Sequence, residues 1–455
     1  MEKIYSRIGV INQEFDFFKL KDALVKNDAG DWGNEPKNDA IGIIRSTNFT
    51  NEGKLDLQDV AYRSLKSNKR IEKKLFKDEI LIERSGGSDK QPVGRVGLIN
   101  ADIGKKDFAF ANFIQRIAID NTVESNFLFY CLQQMYEMGI TRAMQYQTTG
   151  IRNLDWKMYT KSILPKPPKP EQTAIAKILS KVDETIEATK NSIKAVEKLK
   201  KALMQNLFTG KLKPDGIWRK EDEFYEDEKF GKIPIGWQII KGNKISDKIT
   251  KGQSPKWQGF EYQDSGILFV TSENVRDGYI EVDSPKYLPI EFHNKIKNSQ
   301  LQKDDILINI VGASIGRCAV YNLDVEYANT NQAVCVFRPN DENDSDFLAY
   351  YLQNGYTQQR LLGTQVETAR ANLSLGDFRK FKFIIPKSKD EQILIAEKLN
   401  EVVSTIQSKQ DKIKKLQRLK KSLMQNLLTG KVRLPKEYIA QFENELEVTN
   451  TTTTA

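Results

Sequence analysis

One long segment of the chain occurs twice. Residues 171–211 run from EQTAIAKIL to KKALMQNLFTGK, and residues 391–431 run from EQILIAEKL to KKSLMQNLLTGK. The second copy follows 220 residues after the first without a gap, and more than half of the 41 aligned positions are identical. Because chance does not produce agreement of this length, the chain arose by internal duplication. Its fold must therefore contain two equivalent units.

Each copy predicts one long helix. Apolar residues recur at steps of three and four, from Ile175 to Leu207 in the first copy and from Ile395 to Leu427 in the second. This spacing is typical of the seam of a coiled coil. Prolines precede each copy and a Gly-Lys pair ends it, as expected where helices start and stop. Each helix should run about 37 residues, or about 55 Å.

A helix with a single apolar stripe must bury that stripe. The two stripes have the same length and rhythm, so we expect the two helices to pack against each other. Each helix follows a large domain in the chain, and a two-fold arrangement of the halves would make the helices antiparallel. The alternative is that each helix packs on its own domain.

The repeat extends upstream more weakly. NFLFYCLQ at 126–133 matches DFLAYYLQ at 346–353, and short helices are predicted at 126–137 and 346–354. Further matches lie at drifting offsets, which indicates loop insertions between strands. They pair Lys77 to Ile82 with Lys303 to Ile308, Gly94-Arg95 with Gly316-Arg317, Ala111-Asn112 with Ala328-Asn329, and Thr149 and Asn153 with Thr368 and Asn372.

The domains contain short runs of apolar and β-branched residues bounded by turn residues. Strands are predicted at EILIER, GRVGLI and FIQRIAI in the first half and at GILFVT, DILINIV, CAVY and AVCVFRP in the second. The fold class is therefore α+β with a mainly β core in each domain. The predicted layout is a first domain at 1–165, a long helix at 166–211, an acidic connector at 212–231, a second domain at 232–386, a second long helix at 387–431, and a C-terminal segment at 432–455 ending in a disordered tail.

The composition excludes several kinds of catalytic site. There is one histidine, His293, and the three cysteines, Cys131, Cys318 and Cys335, are far apart. A His-rich metal site, a zinc ribbon and a disulfide scaffold are thereby excluded, so no metal site is predicted. Serine or cysteine catalysis would depend entirely on His293. We expect this histidine to be exposed or half-buried, because its segment PIEFHNKIKN is polar.

Other absences narrow the function further. The chain has no phosphate-binding loop, no GxGxxG dinucleotide motif and no Asn-Pro-Pro-Tyr-like run of an amino-methyltransferase. It has no signal peptide and no stretch near the ~20 apolar residues of a membrane span, which predicts a soluble cytoplasmic protein without membrane contact. Lys and Arg number 70 against 61 Asp and Glu, a net charge of +9 that suggests a polyanionic partner such as nucleic acid.

Polar loops of similar composition recur in both halves. Arg can read guanine and Asn or Gln can read adenine, while Ser, Thr and Lys suit phosphates. Ordinary turns use many of the same residues, but recurrence in two diverged copies favours DNA binding. The candidate DNA-binding residues are Arg45, Ser46, Asn48, Arg84, Ser85, Arg95, Asn112, Gln115, Arg116, Thr149, Arg152 and Asn153 in the first half, and Lys251, Gln253, Ser254, Lys256, Trp257, Thr271, Asn274, Ser314, Arg317, Asn329, Asn331, Gln332, Thr368, Arg370 and Asn372 in the second.

The ends of the two helices share the motif LMQNLxTGK. One interpretation is a helix end with a glycine stop and a lysine near the negative end of the helix dipole. Near-identity in two otherwise diverged halves also suggests a shared constraint, either packing or a pair of docking sites for a partner. The candidate partner-binding residues are Leu203, Gln205, Asn206, Leu423, Gln425 and Asn426.

Together these features resemble the specificity subunit of type I restriction–modification enzymes. The duplicated EQxxIAxxL helices, the LMQNLxTGK endings and the IPIGW segment at 233–237 carry the resemblance over nearly the whole chain. It implies two target recognition domains held apart by antiparallel helices, each domain reading one half of a split DNA sequence. The first domain departs from the pattern at its start, where FDFFKLKD at 15–22 stands in place of IPIGW.

The resemblance also implies the partners. They are double-stranded DNA, two adenine-N6 methyltransferase subunits and a restriction/translocase subunit. The chain itself would have no cofactor and no catalytic residue, because S-adenosylmethionine belongs to the methyltransferase. Three alternatives remain: the recognition subunit of a related combined restriction–methylation complex, a methyltransferase or nuclease acting alone, and a coiled-coil scaffold without a DNA role.

Overall fold

A computed structural model describes residues 3–88, 91–148, 150–363 and 372–443. The predicted disordered tail lies outside the described residues from 444 onward. The chain divides into two compact units at two points, between Lys190 and Asn191 and between Gln410 and Asp411. Unit 1 contains both ends of the chain, and unit 2 contains the part between the two points. Each long helix is thus shared between the units.

Unit 1 is built from short strands and helices followed by the start of the first long helix. Its strands are β1 Tyr5–Ser6, β2 Gly9–Val10, β3 Asp16–Lys19, β4 Leu24–Ala29, β5 Ile41–Ile44, β6 Ala61–Arg63, β7 Ile80–Glu83, β8 Ser85–Gly86, β9 Val96–Leu98, β10 Phe108–Phe110, β11 Ile114–Ile119, β12 Gln145–Thr148, β13 Ile151–Leu154 and β14 Ile163–Lys166. Its helices are α1 Ser67–Lys73, α2 Ala101–Gly104, α3 Ser125–Glu137, α4 Trp156–Thr160, the start of α5 Lys169–Phe208 and the end of α10 Lys389–Leu427.

Two sheets form the frame of the first domain. The strands β4-β11-β7-β9 form an antiparallel sheet, and β10-β5-β6 form a second sheet in which β10 and β5 are parallel. The other sheets of this unit are β12-β13-β8, β14-β3 and β1-β2. The four residues of β7, three apolar residues and Glu83, are all buried, because β7 lies between β11 and β9 inside this sheet. The three strands predicted in this half are confirmed as β7, β9 and β11.

Unit 2 repeats this plan. Its strands are β15 Phe224–Asp227, β16 Gly231–Pro234, β17 Trp237–Lys241, β18 Ser246–Lys251, β19 Ile267–Val270, β20 Tyr287–Leu288, β21 Ile306–Asn309, β22 Cys318–Val320, β23 Ala328–Thr330, β24 Val334–Pro339 and β25 Lys382–Pro386. Its helices are α6 Ile290–Lys295, α7 Ser345–Gln353, α8 Gly355–Leu362, α9 Leu375–Lys380, the start of α10 Lys389–Leu427 and the end of α5. The strands predicted here are confirmed as β19, β21, β22 and β24, and the residues predicted as an acidic connector include β15.

The two domains have matching sheets. The order β18-β24-β21-β22 corresponds to β4-β11-β7-β9, and the parallel pair β19 and β23 corresponds to β5 and β10. The turns before β7 and β21 match in detail, because Asp78 and Asp304 both have a φ of 70°, a left-handed conformation that Asp tolerates better than most residues. The strand β3 pairs with β14 as β17 pairs with β25, so FDFFK occupies the place of the strand that follows IPIG.

The long helices run antiparallel in unit 1. Lys420 of α10 forms an ion pair with Asp183 of α5, and Arg433, beyond the end of α10, pairs with Glu171 near the start of α5. Ile175 and Leu179 share a core with Met424 and with the β-sheet and α3 of the first domain. Unit 2 repeats this arrangement, with Leu207 and Phe208 at the end of α5 packed beside Ile395 and Leu399 of α10. The antiparallel prediction is therefore confirmed within each unit.

The glutamine of the repeated Glu-Gln pair makes the same hydrogen bonds in both units. Gln172 accepts a hydrogen bond from the backbone N–H of Glu124 and donates to the carbonyl of Pro167. Gln392 makes the same two bonds, with Asp344 and Pro386. The glutamine thus ties the start of each long helix to the cap of the short helix before it. The two short helices, α3 and α7, are confirmed within a residue of their predicted bounds. Among the described residues, no helix combines the length and the hydropathy of a membrane span.

Candidate nucleic-acid interface

In the first domain, predicted loops leave the sheet at the carboxyl ends of two parallel strands. Ile44 and Phe110 are register partners at the ends of β5 and β10. Arg45 and Ser46 follow the first strand, and Asn112 follows the second. Because the carboxyl ends of adjacent parallel strands share one edge of a sheet, these residues lie along the same edge. Asn112 is exposed there, and Arg45 and Ser46 are half-buried.

The second domain presents an equivalent edge. Val270 and Thr330 are register partners at the ends of β19 and β23, and Asn274 and Asn331 lie in the loops that follow. The loop after β18 leaves at the same place, because a Cβ added to Gly252 would lie 1.8 Å from the carbonyl oxygen of Thr330. Only glycine permits so close a backbone approach. The exposed residues on this edge include Lys251, Lys256, Gln332 and, at 85% exposure, Trp257.

A small sheet in the first domain carries four more of the predicted residues. Ser85 in β8 donates from its hydroxyl to Asn153 in β13 at 2.7 Å. Arg152 is the register partner of Gly86. Arg84 precedes β8, donates to Gln115 at 3.0 Å, and places its guanidinium over the ring of Trp156. All four side chains are half-buried.

Beside this sheet lies a polar cleft of about 340 Å³ that the sequence analysis missed. It is lined by Pro92, Arg142, Gln145, Tyr146, Gln147 and Arg152. Arg142 is exposed, and Tyr146 is an exposed aromatic residue on the same strand as Gln147. An arginine and an exposed aromatic so close to the predicted loop were a usable signal, since both residue types are common in contacts with nucleic acids.

The structure corrects the prediction for two arginines. Arg116 is fully buried: its guanidinium pairs with Asp28 and donates to the carbonyl oxygens of Glu72 and Lys74. Arg95 is also buried, and it donates two hydrogen bonds of 2.8 Å to the carboxylate of Glu83. All of this hydrogen bonding is internal, so neither arginine can reach DNA in this conformation. Both hold the first domain together.

Four neutral residues are corrected for the same reason. Asn48 donates to the carbonyls of Asp56 and Asp59, and Gln115 donates to Asn27. Asn329 donates to Ser299, and Thr271 caps its own turn by bonding to Asn274. The relative exposure of all four is 5% or less. Composition marked them as readers of bases, yet their polar groups bond within the domains: Asn48 and Thr271 stabilise turns, and Gln115 links β11 to β4.

One sequence match was wrong by three residues. The sequence match paired Ala111-Asn112 with Ala328-Asn329. The strand registers instead place Asn329 inside β23, whereas Asn112 follows β10 and corresponds to Gln332. The prediction for His293 is also corrected. Its Nδ1 lies 2.6 Å from the side-chain oxygen of Asn329. The relative exposure of His293 is 9%, so this histidine is buried and not exposed or half-buried.

Arg317 is the structural equivalent of Arg95 but has a different environment. The backbone of Asn309 bonds to Gly316 and Arg317 as that of Glu83 bonds to Gly94 and Arg95. Asn309 cannot neutralise a guanidinium, and its side chain donates to Ser314 and Ser272 instead. The side chain of Arg317 is 41% exposed, with Asp277 at 3.9 Å as a weak partner. Arg317 therefore remains a candidate for DNA contact.

The remaining predicted residues are distributed as follows. Gln253 accepts a hydrogen bond from Gln258, and Ser254 is half-buried beside it. Asn372 is exposed and forms a single bridge with Val311. Thr149, Thr368 and Arg370 lie outside the described residues. Among the described residues, no group of three or more His, Cys, Asp or Glu side chains could hold a metal ion.

The helix-end motif is partly core and partly surface. Leu203 and Leu423 are half-buried and pack against the domain cores, next to the fully buried Met424. Asn206 and Asn426 bond to carbonyls one turn back in their own helices. Of the predicted partner-binding residues, Gln205 and Gln425 are exposed, and the lysines that end the motif, Lys211 and Lys431, are exposed as well.

Comparison with known proteins gives a uniform result. A family model described as the type I restriction modification DNA specificity domain matches residues 12–198 and again residues 234–418. The chain is 28% identical over 337 residues to the type I restriction enzyme MjaVIII specificity subunit of Methanocaldococcus jannaschii, covering 73% of this chain and 76% of that protein. It is 25% identical over 319 residues to the EcoBI specificity subunit of Escherichia coli, covering 67% and 64%.

Two solved structures share the fold. A type I restriction–modification S subunit from M. genitalium gives a TM-score of 0.55 at 16% identity, covering 93% of this chain and 99% of that one. A chain from a study of the assembly and conformational transition of the type I R-M system gives 0.56 at 15% identity, with the same coverage.

Proposed function

This chain belongs to the type I restriction–modification DNA specificity family, and on that basis we propose that it is the subunit that selects the DNA sequence in such an enzyme. Each domain reads one half of a bipartite target. The observation that carries this proposal is the recurrence of polar loops at the same sheet edge in both domains, after β5 and β10 in one and after β19 and β23 in the other.

Residues on these edges and in the polar cleft, together with Arg317, supply both kinds of DNA contact. Lys251 and Lys256 pair with phosphates, which position the duplex without reading its sequence. Arg142 and Arg317 can form paired hydrogen bonds with guanine, and Gln332 can do so with adenine. The buried arginines, Arg95 and Arg116, keep the edges rigid, because a contact set that reads bases must hold its geometry.

The long helices act as the spacer between the two half-sites. They contain 40 and 39 residues, which corresponds to about 60 Å of helix. That length exceeds one turn of DNA, about 34–36 Å, so it suffices to place the two domains on different major-groove turns. The unread gap in the target is then set by helix length, and the half-sites are set by the domains.

The chemistry belongs to partner subunits. Two adenine-N6 methyltransferase subunits, each with its own S-adenosylmethionine, dock on this chain, and a restriction/translocase subunit completes the enzyme in the cytoplasm. The chain itself is non-catalytic. This assignment rests on family membership and on the antiparallel helices, which offer the ends of α5 and α10 as two docking positions at matching places of the repeat.

Methylated-base mapping of a host that carries this chain tests the proposal directly. The expected result is one bipartite motif with a methylated adenine in each half and a fixed gap. Inserting one heptad into α5 and one into α10 should lengthen the gap without changing either half-site. A continuous motif, or methylation or cleavage of DNA by the purified chain without partners, would contradict the proposal and favour an enzyme acting alone.

A further inference from the structure

Each unit contains a lysine of a long helix that lies over a tyrosine ring, at the same position of the repeat. In unit 1, Lys420 of α10 lies 5.5 Å from the ring centre of Tyr130 in α3. In unit 2, Lys200 of α5 lies 5.6 Å from the ring centre of Tyr350 in α7. Both pairs are related by the same offset of 220 residues. The two sites therefore started as copies of each other, and differences between them are informative.

The site in unit 1 is closed. Lys420 forms a 2.8 Å ion pair with Asp183, and the hydroxyl of Tyr130 donates to the same carboxylate at 2.9 Å. Met424, one turn further along the helix, is fully buried. A loop of the first domain covers α3, with the side chain of Gln133 donating to the carbonyl of Asn51. The lysine here has its counter-charge from within the chain.

The site in unit 2 is open. The repeat places Val403 where unit 1 has Asp183, and Val403 packs against the domain core. Among the described residues, no carboxylate oxygen lies within ion-pair distance of Lys200. Instead, Lys200 borders a cleft of about 560 Å³. Its other walls include Lys201, Met204, Gln205, Gln353 and Tyr356.

Lys200 is only partly solvated in this cleft. Burial lowers the pKa of its ammonium group, and the carboxylates of Asp277 and Glu197 offset that effect only partly. A charge removed from water without a close counter-ion is unfavourable, so a carboxylate that entered the cleft would gain an unusually strong partner. Unit 1 shows which group pairs with the lysine at this position of the repeat, because the partner of Lys420 is the carboxylate of Asp183.

We propose that this cleft is a docking site for an acidic side chain of a partner protein, which pairs with Lys200 as Asp183 pairs with Lys420. This inference rests on the proposed function, in which the partner is the methyltransferase subunit. Gln205, an exposed residue of the helix-end motif, lines the cleft and belongs to the same surface. The two docking positions are therefore unequal: one carries an electrostatic contact that the other satisfies internally.

A DNA phosphate is the competing occupant, and the cleft suits it less well. Glu197 and Asp277 stand among the lining residues. A duplex brings a row of phosphates, which would face these carboxylates as well as the lysines. A single carboxylate on a partner surface can approach Lys200 and Lys201 without bringing further negative charge.

Titration of the full-length chain with the methyltransferase subunit of the same restriction–modification system tests the inference. Native mass spectrometry reports how many copies bind, and calorimetry separates the two affinities. Lys200→Ala should weaken one of the two sites about tenfold or more, because it removes a partly buried charge contact, while the other site is unchanged. Lys200→Arg, which retains the charge, should keep most of the affinity. Lys198→Ala, an exposed lysine in the same turn and outside the cleft, serves as the matched control.

A second variant tests the cause without removing the lysine. Val403→Asp recreates the arrangement of unit 1, so Lys200 gains an internal partner and the same single site should weaken. Melting curves of all variants establish that the fold is intact.

If both affinities stay unchanged in Lys200→Ala, or if both fall equally, the inference is wrong although the proposed function stands. Weaker DNA binding by the chain alone, with normal methyltransferase binding, would also overturn it and would favour a phosphate. If the unaltered chain binds no methyltransferase subunit, the proposed function itself fails, and this inference fails with it.

Discussion

The two domains use the same Gly-Arg pair in opposite ways. Arg95 is buried against Glu83, and Arg317 is partly exposed beside Asn309, although the backbone hydrogen bonds around the two arginines are the same. The difference lies in one residue at the end of the adjacent strand, which is an acidic glutamate in β7 and a neutral asparagine in β21. Both residues are arginine, so the neighbouring residue determines whether the side chain is buried in an internal ion pair or remains available for DNA contact.

The same contrast appears where each long helix packs against a short one, α10 against α3 and α5 against α7. Lys420 is neutralised by Asp183, while Lys200 faces a cleft. In both comparisons the first unit satisfies its cations internally and the second leaves a cation available. After the duplication, one unit can thus use these cations in internal ion pairs while the other uses them to bind DNA or a partner. The following predictions test this division between the units.

The largest expected effect is the loss of the buried pair in the first domain. Arg95→Ala leaves the carboxylate of Glu83, whose side chain is fully buried, without its counter-charge. We expect the free energy of unfolding to fall by about 3–5 kcal/mol. Arg317→Ala should cost less than about 1 kcal/mol, because its pair with Asp277 is long and exposed. Urea denaturation of both variants measures this difference, and equal losses would refute the division.

A smaller difference is expected between the two arginines that hold the starts of the long helices. Arg433 makes two hydrogen bonds of 2.7 Å to Glu171, whose side chain is 1% exposed. Arg219 pairs with Glu391, which is 23% exposed and also accepts a hydrogen bond from the indole of Trp237. Arg433→Ala should therefore lower the free energy of unfolding by about 2–3 kcal/mol, and Arg219→Ala by about 1 kcal/mol less, because Trp237 remains.

Thermal denaturation of these two variants, with the double variant as a third sample, gives the comparison. The double variant should lose the sum of the two values, since the contacts lie in different units and share no residue. A larger loss for Arg219→Ala would show that burial of the arginine, and not of its carboxylate, determines the stability of this contact.

A substitution at Asn309 should weaken recognition of one DNA half-site. Asn309→Glu restores the residue that β7 has at this position, so Arg317 should be drawn into a buried pair like that of Arg95. We expect recognition of one half-site to weaken by about 1–3 kcal/mol, the value of one paired contact with a base, while the other half-site is read normally. Arg317→Ala should have the same effect. Methylation rates on targets altered in one half at a time provide the measurement, and equal loss at both halves would contradict independent reading.

Much of the architecture could be predicted from the sequence. The helical repeat, the short helices and the central strands rest on periodicity and on apolar runs, which are local signals. The Gly94-Arg95 match with Gly316-Arg317 was also correct, because the flanking strands carried it. The pairing of β3 with β14 could not be predicted in the same way, since it joins residues at opposite ends of the first domain.

The candidate site was harder to predict, for a physical reason. Composition shows that a residue can hydrogen-bond but not where its partner lies. Arg116 was selected as a DNA contact, yet its partner Asp28 is 88 residues away in the chain and meets it only after β4 and β11 pair. Arg142 was missed because it lies before the predicted loop, in the 3-10 helix Ile140–Met144, and the sequence does not show that this helix lines the same cleft as Tyr146 of β12.

The smallest expected effect concerns the pH dependence of stability in the first domain. In the first domain, burial alone would raise the pKa of Asp28, but hydrogen bonds from Arg116 and Lys73 lower it below its ordinary value. A carboxyl group with a lowered pKa in the folded state stabilises the fold above its unfolded pKa of about 3.9, and that stability is lost as the pH falls through the folded value. Asp28→Asn should therefore flatten the dependence of stability on pH below about 4. Urea denaturation at pH 3 and pH 6 measures the slope, and an unchanged slope would show that Arg116 is held by its carbonyl partners, not by Asp28.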